Sequence, residues 1–214
     1  IGAVLEFDIT GVPATEKLKS VQFVSSKGFP ATDNSIYNLT SVTENGDVNT
    51  VAGTYYKSVT VSLQGDGFTP GQSTKVYMTL VPGTYNGNIY ISTDKNLYRY
   101  SDKTIDADRA VVKTIKADLS SGSADNSKEI KSALDYEVFA MAANAGDYSA
   151  WVDGAGEVKL GADISTTTYF TRIQKDWTGK FNGQNHTIKQ DASVVPLFTV
   201  IDEKASVSRL VLEG

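Results

Sequence analysis

The stretch "KSVTVSL" (57–63) alternates without a fault, setting Val59, Val61 and Leu63 against Ser58, Thr60 and Ser62. Period-two alternation gives a strand one buried face and one wet face, so this heptad reads as part of a sheet packed on one side. The same pattern recurs on both sides of it. "VLEFDIT" (4–10) puts Leu5, Phe7 and Ile9 opposite Glu6 and Asp8. "KVYMTLV" (75–81) groups Val76, Met78 and Leu80, and "GNIYIST" (87–93) groups Ile89 and Ile91. Turn-forming clusters at 44–47, 65–71, 82–87 and 93–96 separate these runs. No helical pattern of useful length lies between them, which argues against βαβ units. Residues 1–119 are therefore expected to form a β-sandwich of about seven strands.

Composition agrees with an all-β class: Thr, Ser, Val, Tyr, Gly and Asn are plentiful, and there are only 5 prolines among 214 residues. The 20 basic and 25 acidic residues leave a net charge of −5, and the basic ones are scattered, so nucleic acid is not an expected partner. No apolar run approaches the roughly 20 residues of a membrane-spanning helix. With no cysteine there is no disulfide, thiolate nucleophile or thiolate metal site. The first residues, "IGAVLEFDIT", lack the basic and apolar regions of an export signal. Any signal or lipid anchor is expected outside these 214 residues.

Past residue 119 the pattern changes. "SSGSADNSK" is small and polar, and 120–127 reads as a linker. "SALDYEVFAMAANAG" (132–146) is the one good helix. Ser132 suits the N-cap with Asp135 three residues on, Gly146 suits the C-terminal left-handed position, and Leu134, Val138 and Met141 form its apolar stripe. The remainder of 128–214 carries short apolar triplets at wide spacing: 158–160, 186–188 and 210–212. That spacing suits a coil-forming repeat in which each turn lays a short strand on the one before. "RLVLEG" stops where a further coil is expected, so either more chain or a partner is expected to cover it.

Two resemblances sharpen this reading. "WTGKFNGQNHTIKQ" (177–190), followed by "VPLFTVIDEKASVSRLVLEG" (195–214), resembles the pattern that opens right-handed parallel β-helix segments of bacterial surface proteins with the GLUG repeat. "AMAANAGDYSAW" and "GEVKLGADI" resemble that family's lead-in of a helix and then a strand. Asn182, Asn185 and Pro196 depart from the pattern's Asp, Gly and Gly. "KLKSVQFVSSKGFPAT" (17–32) and "VYMTLVPGTYNGNIYISTDKNLYRY" (76–100) resemble the N-terminal sandwich of fimbrillin-type proteins, pilin-like lipoproteins of anaerobic Gram-negative bacteria. The resemblances imply an exported protein of the cell surface, outer membrane or fimbrium. They imply a fimbrillin- or transthyretin-like sandwich, then one helix and the first coils of a parallel β-helix. They also imply a structural or adhesive role, with host glycoprotein, matrix, polysaccharide or other fimbrial subunits as partners, the last by strand addition. In the pattern Gly183 serves a tight turn, and His186 opens a strand with a side chain that fixes that turn.

A Ser-His-Asp triad has only His186 to use, and no nucleophile-elbow motif is present. A pair of glycosidase carboxylates cannot be picked out of 25 acids by sequence. The acidic turns at 102–108 and 153–163 do not match a calcium loop, and Asp in a turn commonly bonds its own backbone. Tyr77, Tyr90, Tyr98, Tyr100, Trp151 and Trp177 could form a platform for sugar rings, or pack as core. The expectation is no catalysis, no cofactor and no metal, with Trp151, Trp177, Tyr98 and Tyr100 as ligand-binding candidates. The alternative is a polysaccharide-active enzyme or carbohydrate-binding module built on the coil segment.

Overall fold

The computed structural model describes residues 2–30, 37–42, 48–50, 55–63, 67–69, 73–122, 124–166, 171–190 and 196–214. The turn signals at 44–47, 65–66 and 70–71 lie outside the described residues. The protein is mostly β, and it divides into two compact units, Ile1–Asp125 and Asn126–Gly214.

The first unit contains β1 (Ala3–Thr10), β2 (Leu18–Pro30), β3 (Tyr37–Val42), β4 (Val48–Thr50), β5 (Tyr55–Ser62), β6 (Ser73–Leu80), β7 (Gly83–Thr93), β8 (Leu97–Ala107) and β9 (Val112–Asp118). One sheet has the order β6-β1-β9, with β1 antiparallel to β6 and parallel to β9. A second has the order β5-β2-β7-β8 and is antiparallel throughout. β3 and β4 form a separate pair. Leu5, Phe7, Ile9, Val76 and Met78 from the first sheet join Val21, Phe23, Ile89, Ile91 and Ile105 from the second in one apolar core. Val59, Val61 and Leu63 pack against it, so the opening heptad keeps the face its alternation assigned. The stretch read as a linker is tied to this unit near its end. Asp125 exchanges both backbone hydrogen bonds with Arg99, and its carboxylate takes one from the Arg99 guanidinium at 3.2 Å.

The second unit begins with α1 (Ala133–Ala145). Ser132 Oγ accepts from Asp135 N–H at 3.1 Å, and the Asp135 carboxylate accepts from Lys131 N–H at 2.9 Å, satisfying donors at the helix entrance. Gly146 closes the other end at φ +82°. Of the expected stripe Val138 is buried, whereas Leu134 and Met141 are half-buried; the other buried apolar side chains are Tyr136, Phe139, Ala140 and Ala143. The helix is thus rotated from the expected stripe, because its two rings bury more area than Leu134 or Met141 offers. Phe139 sits at the centre, with Trp151, Trp177, Phe181 and Tyr148 at centroid distances of 6.3, 5.7, 5.8 and 6.3 Å.

Six short strands follow: β10 (Glu157–Lys159), β11 (Ile164–Thr166), β12 (Lys180–Asn182), β13 (Thr187–Gln190), β14 (Ser206–Ser208) and β15 (Val211–Glu213). They pair only in parallel, as β10-β12-β14 and β11-β13-β15. Val158, Phe181 and Val207 line up in the first stack, and Ile164, Ile188 and Leu212 in the second. Bridges Ile173–Phe198 and Trp177–Ile201 join successive passes elsewhere. Val158 and Lys159 of the first triplet therefore stack on Phe181 and Asn182 and not on 186–188, whereas Thr187 and Ile188 do stack on Val211 and Leu212 of the third; on its other side Ile188 meets Ile164, which the triplet reading passed over.

Gly183 closes the tight turn, its carbonyl accepting from His186 N–H at 2.8 Å, but the turn is not what requires a glycine there. It is Gln184 and Asn185 that take the left-handed turn, at φ +51° and +66°. A Cβ on Gly183 would lie 2.5 Å from Arg209 O and 2.6 Å from Leu210 Cα, so this glycine lets the next pass approach. Gly183→Ala is predicted to destabilise the second unit by about 1–3 kcal/mol through overpacking, read as a lowered urea midpoint. An unchanged midpoint would contradict this packing.

Candidate functional site

The four aromatic candidates are all core residues. Trp151, Trp177, Tyr98 and Tyr100 are 1%, 1%, 4% and 6% exposed, so none can offer a ring to a ligand. The tryptophans flank Phe139. Tyr98 directs its hydroxyl to the buried carboxylate of Glu16, 3.3 Å away, and burial followed by this carboxylate pushes its phenol up. Glu16 also accepts from Thr93 Oγ1 and Asn96 Nδ2, at 2.5 and 2.6 Å. The chain before β2 is thereby held to the β7–β8 turn. Tyr90 is buried as well, with the Arg99 guanidinium 6.0 Å from its ring centroid.

His186 pairs through Nδ1 with Asp163 Oδ1 at 3.1 Å, and the same oxygen accepts from Thr187 N–H at 2.8 Å. One carboxylate thus pins the corner before β11 to the corner before β13. The Thr187 N–H, and then His186, hold the Asp163 carboxyl below its usual range. The acidic turn at 153–163 is likewise occupied by its own chain. Asp153 bonds Lys159 Nζ at 2.5 Å, and its other oxygen accepts from Ala155 and Glu157 N–H at 2.8 and 3.0 Å. These bonds give Asp153 the role of a loop clasp.

A different face of the molecule gathers accessible chemistry. In β1 the residues opposite the core are Val4, Glu6, Asp8 and Thr10. Register sets Tyr77 on one side of Glu6 and Thr114 on the other; Asp8 lies between Lys75 and Lys116 in the same way. Glu6 is only 9% exposed and accepts from Tyr77 Oη at 2.8 Å, Lys75 Nζ at 3.0 Å and Thr114 Oγ1 at 3.2 Å. Ser73 Oγ donates to Asp8 at 2.5 Å. Tyr77 nevertheless remains 53% exposed. Its hydroxyl is anchored while its ring stays open to solvent. The hydrogen bonds from Lys75 and then Tyr77 lower the Glu6 carboxyl, and Glu6 in turn raises both Lys75 and the Tyr77 phenol. The cluster is therefore carboxylate, ammonium and neutral phenol at neutral pH. Alternation placed Glu6 on the polar face and Tyr77 on the face away from Val76 and Met78. The pairing of β6 and β9 on either side of β1 had no sequence signal.

No family model, no curated protein and no solved structure matches the chain. Among the described residues, no helix is long and apolar enough to cross a membrane.

The Asp153 clasp gives a pH test. Lys159, and then the Glu157 N–H, lower its carboxyl from 3.8 to about 2. The stabilisation is therefore full above the unfolded value and fades as pH falls through the folded one. Asp153→Asn is predicted to cost about 1 kcal/mol at pH 7, discounted for solvent screening. The cost should shrink towards pH 2 in urea titrations on both proteins; a pH-independent cost would contradict the pairing.

Proposed function

We propose that this chain is an exported structural or adhesive protein of the cell surface or fimbrium, acting by presenting surfaces rather than by bond chemistry. In this reading the first unit is a fimbrillin-like β-sandwich. The second is a helix followed by the opening coils of a GLUG-type parallel β-helix. The two sheets with a shared core and the purely parallel pairing of β10–β15 support those assignments. Host glycoprotein, matrix, polysaccharide or another subunit are the partner classes.

The observation that carries the reading is the open face of β6-β1-β9, where an anchored ring stands half-exposed amid paired charges. The groups that sequence offered for catalysis or metal binding support it from the other side. His186, Asp163 and Asp153 are engaged in holding corners and turns of the fold. The test is a panel of glycans and matrix proteins scored in the same wells for retained protein and released reducing ends. Saturable retention without product is the expected result; product release would overturn the reading in favour of an enzyme.

A further inference from the structure

We infer that the face centred on Tyr77 is a saccharide platform, and that its ligand is a neutral pyranose chain. The inference rests on the surface-binding reading and names the partner for it. A pyranose ring is amphiphilic, with C–H groups on its faces and hydroxyls around its rim. An aromatic ring satisfies the first, and an alternation of donors and acceptors beside it satisfies the second.

Tyr77 supplies the ring in a prepared state. Its hydroxyl is held by Glu6, and Glu6 is itself held by Lys75 and Thr114, so the ring loses little freedom when a ligand stacks on it. Across the strands, Tyr77, Glu6 and Thr114 lie in one row, with Lys75, Asp8 and Lys116 in the next. Strands lie about 4.8 Å apart, so a row spans roughly 10 Å, the scale of two linked sugar units. Charge selects among ligands. The two rows hold two carboxylates, Glu6 and Asp8, and two ammonium groups, Lys75 and Lys116, and so carry no net charge to favour an acidic or basic chain. Val4 and Val112, opposite each other in the adjoining row, extend the apolar side of the platform beside Thr79. A protein strand would seek a sheet edge for its backbone, whereas this surface is the face of a sheet.

The experiment is titration of neutral gluco-, galacto- and manno-pentasaccharides into the intact chain, followed by amide NMR, with Tyr77→Ala and Tyr77→Phe alongside. Immobilised matrix proteins serve as a parallel probe. Tyr77 is exposed, so both variants are expected to fold, and their amide spectra report whether they do. The expected result is saturable binding of at least one oligosaccharide, with shifts confined to β1, β6 and β9. Tyr77→Ala should weaken binding about tenfold, and Tyr77→Phe, which keeps the ring, should weaken it less. Binding that survives Tyr77→Ala unchanged, or shifts on other strands, would overturn the inference. Matrix binding with no oligosaccharide binding would overturn it while leaving the surface-binding reading intact; silence towards both probes would remove both.

Discussion

A carboxylate withdrawn from water must be met by donors of the protein itself, and among the described residues four are withdrawn: Glu6, Glu16, Asp135 and Glu137. Each is met, and for Glu6, Glu16 and Glu137 the partners lie on a separate piece of chain. Glu16 binds the approach to β2 to the β7–β8 turn. Asp135 closes the entrance of the helix on Lys131. Glu137 takes both the backbone N–H and the hydroxyl of Thr171, fixing the chain ahead of the Ile173 bridge. Glu6 joins three strands of one sheet from its outer face. Leaving such a buried acceptor without any donor costs more than the net gain of an ordinary hydrogen bond.

The second unit adds a packing constraint. A strand of three residues makes too few backbone bonds to stand alone, so β10 to β15 persist because each pass lies in register on the last. That register needs close approach at Gly183, a carboxylate clasp at Asp163, and a common interior. Phe139 begins that interior on the helix, and Trp177, Phe181 and Phe198 continue it from pass to pass. Trp151 and Trp177, offered as binding aromatics, are consumed here, and Tyr98 and Tyr100 are consumed in the core of the first unit. Tyr77 escapes because its ring lies on the polar side of β6, where its hydroxyl has Glu6 to bond.

Much of the architecture was legible because it is local. Alternation in 4–10, 57–63, 75–81 and 87–93 fixed which side chains face the core, and Ser132, Asp135 and Gly146 marked the helix ends. What failed depended on pairing between distant segments. Tyr98 and Tyr100 lie in a run, Leu97–Tyr100, that is buried on both faces, so period-two reasoning could not place them. The run 158–160 looked equivalent to 186–188 in hydrophobicity, yet a half-buried corner at 184–187 intervenes and Ile188 pairs with Ile164. Nothing in the spacing of Glu6, Lys75, Tyr77 and Thr114 announces that they meet, since β1 lies between a strand from the middle of the unit and one from its end.

Glu6 organises the outer face of β6-β1-β9 by standing ionised beside Tyr77, whose hydroxyl it holds. A carboxylate-detected NMR titration of the glutamates, with the Tyr77 ring followed in the same samples, tests it directly. Glu6 is expected to titrate below the ordinary glutamate range, with the Tyr77 ring signals moving with it. A Glu6 that titrates as an exposed glutamate, with Tyr77 indifferent to it, would show that Glu6 does not organise this face.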